Sequence, residues 1–228
     1  MYMTKIDLKA EQKASQERAI YRYSIASKIF FFAMDFVAGS KHSLGKAKLL
    51  EMLASIPYRE WEIKQYAMIT RCYRNVNKVA LSKKLIEWGR NAQDNEYIHL
   101  HVIHVKMNED GLKDPWYLWP PVTFFIVLTY VVISKFLAWV NINGAYHFNA
   151  QFEDHAERIY AQMVTIHPEW EDQPVTNDLI KKYADVDTWA DVFRRIGLDE
   201  RDHRNESFIF CGKAEFVIKY KGMRSSYT

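Results

Sequence analysis

The sequence predicts an all-α fold, and three observations favour it. Of 228 residues, 49% are hydrophobic and 15% aromatic, but only 8 are Gly and 6 are Pro. Few helix breakers and many apolar residues favour long helices over a strand-and-turn fold. Two Glu-x-x-His motifs, beginning at Glu96 and Glu200, have a spacing that puts both side chains on one helix face. A chain of this length is expected to form a single helical-bundle domain over residues 1–228.

Charge and cysteine content exclude two classes of protein. The formal net charge of +3 is too small to indicate nucleic-acid binding. Cys72 and Cys211 form no CxxC motif, which argues against a disulfide scaffold. Residues 1–50 carry nine Lys or Arg against four Asp or Glu, which is typical either of contact with an anionic membrane surface or of a solvated amphipathic helix.

The pattern of apolar residues, Pro and Gly predicts the helices. They are expected over 16–38, from about Leu44 through Pro57, over 62–108 as one or two helices, over 122–140, from about Ala145, near 175–184 and over 188–215. Pro57 is expected to kink its helix without ending it, and Gly89 is the expected weak point of 62–108.

The most apolar segment is residues 122–140, which is as long as a membrane span and follows several Trp and Tyr residues. We favour a monotopic arrangement, in which this helix and the Phe-rich segment at 28–38 lie in one leaflet. A single span and a buried core helix are the alternatives. The first twenty residues contain no secretory apolar segment and carry acidic residues that transit peptides avoid. The chain is therefore expected on the side of the membrane where it is made, unless a presequence has been removed.

The two Glu-x-x-His motifs are each preceded by a further Glu, giving the order Glu, Glu-x-x-His, Glu, Glu-x-x-His. That order matches the inward-facing ligand set of a di-iron carboxylate bundle, and thus a ferritin-like four-helix bundle. Non-haem iron favours carboxylates with a few imidazoles, and four carboxylates balance two ferrous ions. The candidate metal ligands are Glu51, Glu96, His99, Glu153, Glu200 and His203.

The spacing alone leaves some assignments open. Glu60 or Glu62 could replace Glu51, and Glu157 could replace Glu153. Tyr160 follows Glu153 by seven residues, nearly two helical turns, so both side chains point to the same side of the helix. Tyr160 is then either a core residue or a redox-active one.

Four blocks of the sequence resemble the alternative oxidase family, which includes the plastid terminal oxidases. The family's Leu-Glu-Thr block, with Ala and Pro further on, is matched by Leu50-Glu51-Met52 with Ala54 and Pro57, which selects Glu51. The remaining blocks are matched by Asn95-Glu96-Tyr97-Ile98-His99-Leu100, by Phe152-Glu153-Asp154-His155-Ala156 with Tyr160, and by Asp199-Glu200-Arg201-Asp202-His203-Arg204. The resemblance extends from about residue 20 to 210.

The resemblance implies a membrane-bound, monotopic, dimeric quinol oxidase with a di-iron centre. Such enzymes transfer four electrons from two quinols to one O2 without pumping protons. Their location would be the cytoplasmic face of a bacterial inner membrane or an organelle inner membrane. The resemblance further implies that Asn95 and Asp199 orient the His ligands from a second layer, that Tyr160 is the catalytic tyrosine, and that Lys46, Leu50 and Ala156 border the quinol.

Two other functions use similar chemistry. A di-iron hydroxylase or desaturase acting on a quinone or lipid would share the ligand set. A ferritin-like ferroxidase is disfavoured, because soluble shells do not need the apolar segment at 122–140.

Overall fold

The computed structural model describes residues 6–223, which form α-helices and short 3-10 turns and contain no β-strand. The predicted all-α class is therefore confirmed. The helices are α1 (Leu8–Glu17), α2 (Ile25–Ala38), α3 (Leu44–Arg71), α4 (Val76–Glu109), α5 (Pro120–Val140), α6 (Ile142–Ile166), α7 (Asp178–Tyr183) and α8 (Trp189–Phe210).

The chain divides into two compact units. The central unit is Ala33–Ala145, and the terminal unit combines the residues up to Phe32 with those from Tyr146 onward. Each unit contains one of the two Glu-x-x-His motifs. The expectation of a single domain over residues 1–228 stays a prediction.

The central unit is built on α3 and α4, which pack closely against each other. Trp61 and Trp88 stack with ring centroids 5.1 Å apart. A Cβ at Gly89 would lie 3.2 Å from the Tyr58 carbonyl oxygen, so Gly89 allows this close approach of the two helices. The prediction that Gly89 is the weak point of segment 62–108 is therefore wrong, because α4 continues through it. The break lies between Arg71 and Val76, where the Asn75 side chain caps α4 by accepting a hydrogen bond from the Lys78 amide.

The helix that carries Glu51 continues through Pro57, as predicted. It begins at a Ser43 cap, whose hydroxyl accepts a hydrogen bond from the Lys46 amide, and it extends to Arg71. Proline removes one amide donor from the helix ladder, but packing on both sides of Pro57 maintains the helix.

Helix α5 packs on α3 along one narrow stripe of its surface. Tyr130, Ser134 and Ala138 are buried at four-residue intervals, and the Lys64 ammonium donates a hydrogen bond of 2.6 Å to the Ala138 carbonyl. Most of the remaining apolar surface is exposed. Within the described chain, α5 alone is long and apolar enough to cross a membrane, and only 17% of its apolar window is buried. Within this chain, α5 is therefore not a buried core helix.

The terminal unit is held together by ion pairs between α1, α6 and α8. The Arg201 guanidinium is buried and binds both Glu157, at 2.8 Å, and Glu11. Arg18 donates to Glu157 at 2.6 Å. Tyr23 donates to Asp154 at 2.8 Å.

Several predicted helix bounds are wrong. The single helix expected over 16–38 is divided, because α1 ends at Glu17 and α2 begins only at Ile25. Between them, Arg18 and Tyr23 bind α6. Helix α6 begins at Ile142 rather than Ala145, since the Asn141 side chain accepts a hydrogen bond from the Gly144 amide at its start. Helix α8 ends at Phe210 rather than near 215, because Gly212 turns the chain with a φ of +77°. Helix α7 spans Asp178–Tyr183, within the expected segment 175–184.

Glu157 is the buried carboxylate that Arg18 and Arg201 both bind in the terminal unit. Burial alone would raise the pKa of Glu157, but the hydrogen bond from Arg18 and the positive charge of Arg201 outweigh burial and lower the pKa. Because the folded-state pKa lies below the unfolded value, the carboxylate stabilises the fold at neutral pH, and this contribution disappears as the pH falls through the folded-state pKa.

We predict that Glu157→Gln lowers the free energy of unfolding by about 3–5 kcal/mol at pH 7, because it leaves buried guanidinium charge uncompensated. Chemical unfolding followed by circular dichroism measures the difference. The difference in stability between the wild type and Glu157→Gln should shrink below pH 4.5, because 4.5 is the ordinary pKa of Glu. The matched control is Glu17→Gln, which removes an exposed pair with Lys13 and should change stability by less than about 1 kcal/mol. Equal effects of the two variants would contradict the role given to Glu157.

Candidate metal centre

The central unit places Glu51, Glu96 and His99 together, and we call these residues the central triad. Glu51 lies on α3, whereas Glu96 and His99 lie one turn apart on α4. The side chains are at most 1% exposed. The Nδ1 atom of His99 lies 3.4 Å from Oε2 of Glu51 and 3.5 Å from Oε2 of Glu96. The α3–α4 packing thus directs one imidazole nitrogen and two carboxylates to one point.

The terminal unit brings together Glu153, Glu200 and His203, the terminal triad. Glu153 is on α6, and the other two residues lie one turn apart on α8. Both glutamates are fully buried, and His203 is 5% exposed. Nδ1 of His203 lies 3.6 Å from Oε2 of Glu200. The two triads therefore have the same composition and the same helical spacing.

Each triad has the dimensions and donor types of a metal site. In each one, a ligand atom from every residue lies within 4.8 Å of the other two. Donor atoms that share one ion, at bonds of about 2.0–2.2 Å, lie at most about 4.4 Å apart, and the His–Glu distances of 3.4–3.6 Å in the two triads are within this limit. Carboxylate oxygen and imidazole nitrogen are suitable donors for a divalent transition metal. The buried Glu and His side chains are thus compatible with metal binding.

Arginine side chains engage two of the carboxylates that competed for these roles in the sequence. Glu62 accepts hydrogen bonds from Arg90, at 2.6 Å, and from Arg59, at 2.8 Å. Glu157 belongs to the ion pairs of the terminal unit. The triads contain Glu51 and Glu153 instead.

The pKa values of two acidic residues next to the terminal triad are shifted in opposite directions. Burial alone would raise the pKa of Asp154, but the Arg204 guanidinium, at 2.7 Å, and Arg18 lower it. Burial raises the pKa of Asp202 to about 6, despite the hydrogen bond from Tyr220. Arginine thus keeps a charge on Asp154, directly beside Glu153, whereas Asp202, beside His203, is a weaker acid.

Asn149 was not predicted from the sequence as a site residue, but it contacts a candidate ligand directly. Its Nδ2 atom donates to Oε1 of Glu153 at 2.9 Å and to Oγ of Ser207 at 3.1 Å. Asn149 precedes Glu153 by four residues, which is the helical spacing that could have indicated the first contact.

The two predicted orienting residues lie next to ligands in the chain. Asn95 is half-buried on α4. Asp199 on α8 accepts a hydrogen bond of 2.6 Å from Tyr183 and pairs with Arg195. That either residue orients a His ligand stays a prediction.

Tyr160 is buried on α6, 1% exposed. Its ring stacks on Phe193 with centroids 6.2 Å apart, and Phe193 in turn stacks on Trp170. A Cβ at Gly197 would lie only 3.4 Å from Cβ of Tyr160, so α8 approaches this tyrosine closely. The aromatic packing fixes the position of the ring.

The residues assigned to the quinol are all buried. The Lys46 ammonium donates to the Asp35 carboxylate and, at 2.9 Å, to the Gly39 carbonyl. Asp35 was not singled out in the sequence, because its contact with Lys46 depends on the turn between α2 and α3. Leu50 lies one turn beyond Lys46 on α3, and Ala156 lies on α6.

Comparison of the chain with protein-family models and with curated proteins finds no match.

We predict that Glu96→Gln reduces the bound metal to half or less of the wild-type content, because the amide retains the shape of the side chain but not its charge. Elemental analysis of the purified chain measures the content. The matched control is Glu60→Gln, a buried glutamate outside both triads, which should retain full metal content. Full metal content in Glu96→Gln would contradict the assignment of Glu96 as a ligand.

Proposed function

We propose that the protein is a membrane-bound di-iron quinol:O2 oxidoreductase, similar to the alternative oxidases. The observation that carries the proposal is the pair of buried Glu, Glu, His triads, one in each unit. The four sequence blocks that resemble the alternative oxidase family support the same assignment.

The charge of the donor set supports two divalent ions. Four carboxylates at almost complete burial would be very costly to keep ionised without compensating positive charge. Two ferrous ions would supply four positive charges and balance them. We propose that Glu51, Glu96 and His99 hold one ion and that Glu153, Glu200 and His203 hold the other. When bound, a ferrous pair supplies the electrons and the open coordination positions that oxygen reduction needs.

The reaction balances with two quinols. Each quinol releases two electrons and two protons, so two quinols convert one O2 into two water molecules and leave two quinones. Lys46, Leu50 and Ala156 are the proposed contacts of the quinol headgroup. The Lys46 ammonium, fixed by Asp35, would donate a hydrogen bond to a headgroup oxygen.

Tyr160 is the proposed redox-active residue. Its hydroxyl would give up a proton and an electron during oxygen reduction and regain both from quinol. The stacking on Phe193 supports this role, since a fixed ring keeps the hydroxyl in one position.

Attachment to one leaflet of a membrane is proposed from the exposed apolar surfaces of two helices. On α2, Ile25, Ile29, Phe32 and Phe36 repeat at helical spacing and are 63–82% exposed. On α5, the residues away from the α3 contact are mostly large and apolar. Amphipathic helices of this kind lie in the membrane interface and bury the apolar face. A homodimer in that membrane, at a bacterial or organelle inner membrane, completes the proposal.

The test of the function is oxygen uptake by membranes that contain this protein, supplied with quinol in the presence of cyanide, which silences haem oxidases. We predict quinol-dependent uptake that persists and is lost in Glu96→Gln. Uptake coupled to a product heavier by one oxygen would instead identify a hydroxylase, and uptake coupled to a new double bond a desaturase. Metal-loaded protein without quinol-dependent uptake would contradict the proposal.

We predict that Tyr160→Phe retains the fold and the iron but loses at least about 90% of oxygen uptake, because only the hydroxyl is removed. A loss of this size corresponds to about 1.4 kcal/mol in the activation free energy. The matched control is Tyr117→Phe, which removes the hydroxyl of another buried tyrosine, in the turn before α5, and should keep near-normal uptake. Near-normal uptake in Tyr160→Phe would make Tyr160 a core residue only.

We predict that the wild-type chain stays with membranes through a high-salt wash and is released by detergent. The double variant Phe125→Glu/Phe136→Glu should be found mainly in the soluble fraction. Both side chains are exposed on α5, and each would contribute about 1.5–3 kcal/mol when buried in the membrane. The control is Leu81→Glu, at an exposed apolar position on α4, and this variant should stay with the membranes like the wild type. Release of the wild-type by salt alone would contradict attachment. Labelling of the two ends of α5 from opposite sides of the membrane would indicate a span and contradict the monotopic arrangement.

A further inference from the structure

Asn149 and Ser207 form a buried polar pair behind the terminal triad. Asn149 is 2% exposed and Ser207 is fully buried. Asn149 lies on α6, one turn before Glu153, and Ser207 lies on α8, one turn after His203. The Asn149 amide group bridges the two helices, since its Nδ2 atom donates to Oε1 of Glu153 at 2.9 Å and to Oγ of Ser207 at 3.1 Å.

The direction of these hydrogen bonds is set by chemistry. An ionised carboxylate can only accept, so the side of the amide that faces Glu153 must be its NH2 group. That group has two hydrogens, and the two contacts use both. With the second hydrogen held by Ser207, the first is directed at Oε1, and the Glu153 carboxylate is fixed in one orientation.

The corresponding positions of the central triad are apolar. Four residues before Glu51 stands Ala47, and four residues after His99 stands Ile103. Both side chains are buried, at 2% and 0% exposure. The duplicated Glu, Glu-x-x-His arrangement therefore carries a polar Asn–Ser pair in one half and an Ala–Ile pair in the other.

We propose that Asn149, anchored by Ser207, is a positioning residue that fixes Oε1 of Glu153, presents Oε2 to the metal, and makes the two metal positions inequivalent. The inference rests on the proposed two-metal centre. Hydrogen bonds to metal-ligating carboxylates orient the ligand, and their removal typically costs about 10–100-fold in metal affinity. The effect should be confined to the ion bound by the terminal triad.

The test is titration of the metal-free chain with Mn(II), with free Mn(II) measured by electron paramagnetic resonance, so that no turnover is required. We expect the wild-type chain to bind two ions. Asn149→Val should weaken one binding step by about 10–100-fold and leave the other unchanged. Ser207→Ala, a smaller change that keeps the amide, should weaken the same step to a lesser extent, and Ser207→Thr, which keeps the hydroxyl, should restore it.

The matched control is Asn205→Val, which removes another buried asparagine of α8. The Asn205 side chain binds the backbone of Ile218 and serves the fold, so the variant should lower thermal stability and leave both binding steps unchanged. Wild-type affinities for both ions in Asn149→Val and in Ser207→Ala would overturn the inference. So would an equal weakening of both steps, which indicates a general structural effect. Two bound Mn(II) ions with this pattern, but no quinol oxidation by the iron-loaded chain, would overturn the proposed function and leave the inference standing.

Discussion

The constraint on which the rest of the structure depends is the burial of four carboxylates and two imidazoles. In each unit a pair of long helices carries a Glu, Glu, His triad, and these residues are at most 5% exposed. Burying this much negative charge is costly unless cations compensate it, and metal ions compensate it most directly. In the proposed account, the helices position these donor atoms, and bound metal contributes to the stability of the fold.

In the terminal unit, arginine guanidinium groups compensate other buried carboxylates. Asp154 and Glu157 lie on α6 close to the candidate ligand Glu153, yet arginines from the N-terminal segment and α8 bind both of them. The same helix therefore carries carboxylates of two kinds. Those paired with arginine hold the helices together, whereas Glu153 belongs to the terminal triad. Asp154, the next residue, points to a different side of the helix, whereas Glu157 lies on the same side one turn further on, where Arg18 and Arg201 bind it.

The sequence predicted what depends on local spacing. The all-α class followed from composition, and the grouping of each Glu-x-x-His motif on one helix face followed from the three-residue spacing. Apart from the grouping of the candidate ligands, contacts between distant segments could not be predicted. Residues 18–24 are not helical, and Arg18 and Tyr23 among them bind α6. Gly89 lies within a helix, where it allows the close approach of the α3 backbone. The Asn149–Ser207 contact joins residues 58 positions apart, so no local pattern indicates it.

The central claim is that each triad holds a metal ion, and X-ray absorption at the iron K-edge of the iron-loaded chain, together with its iron content, tests it most directly. The account predicts nitrogen and oxygen neighbours at about 2.0–2.2 Å and two iron atoms per chain. A spectrum with sulfur neighbours, or no more than one iron atom per chain at saturating iron, would contradict it.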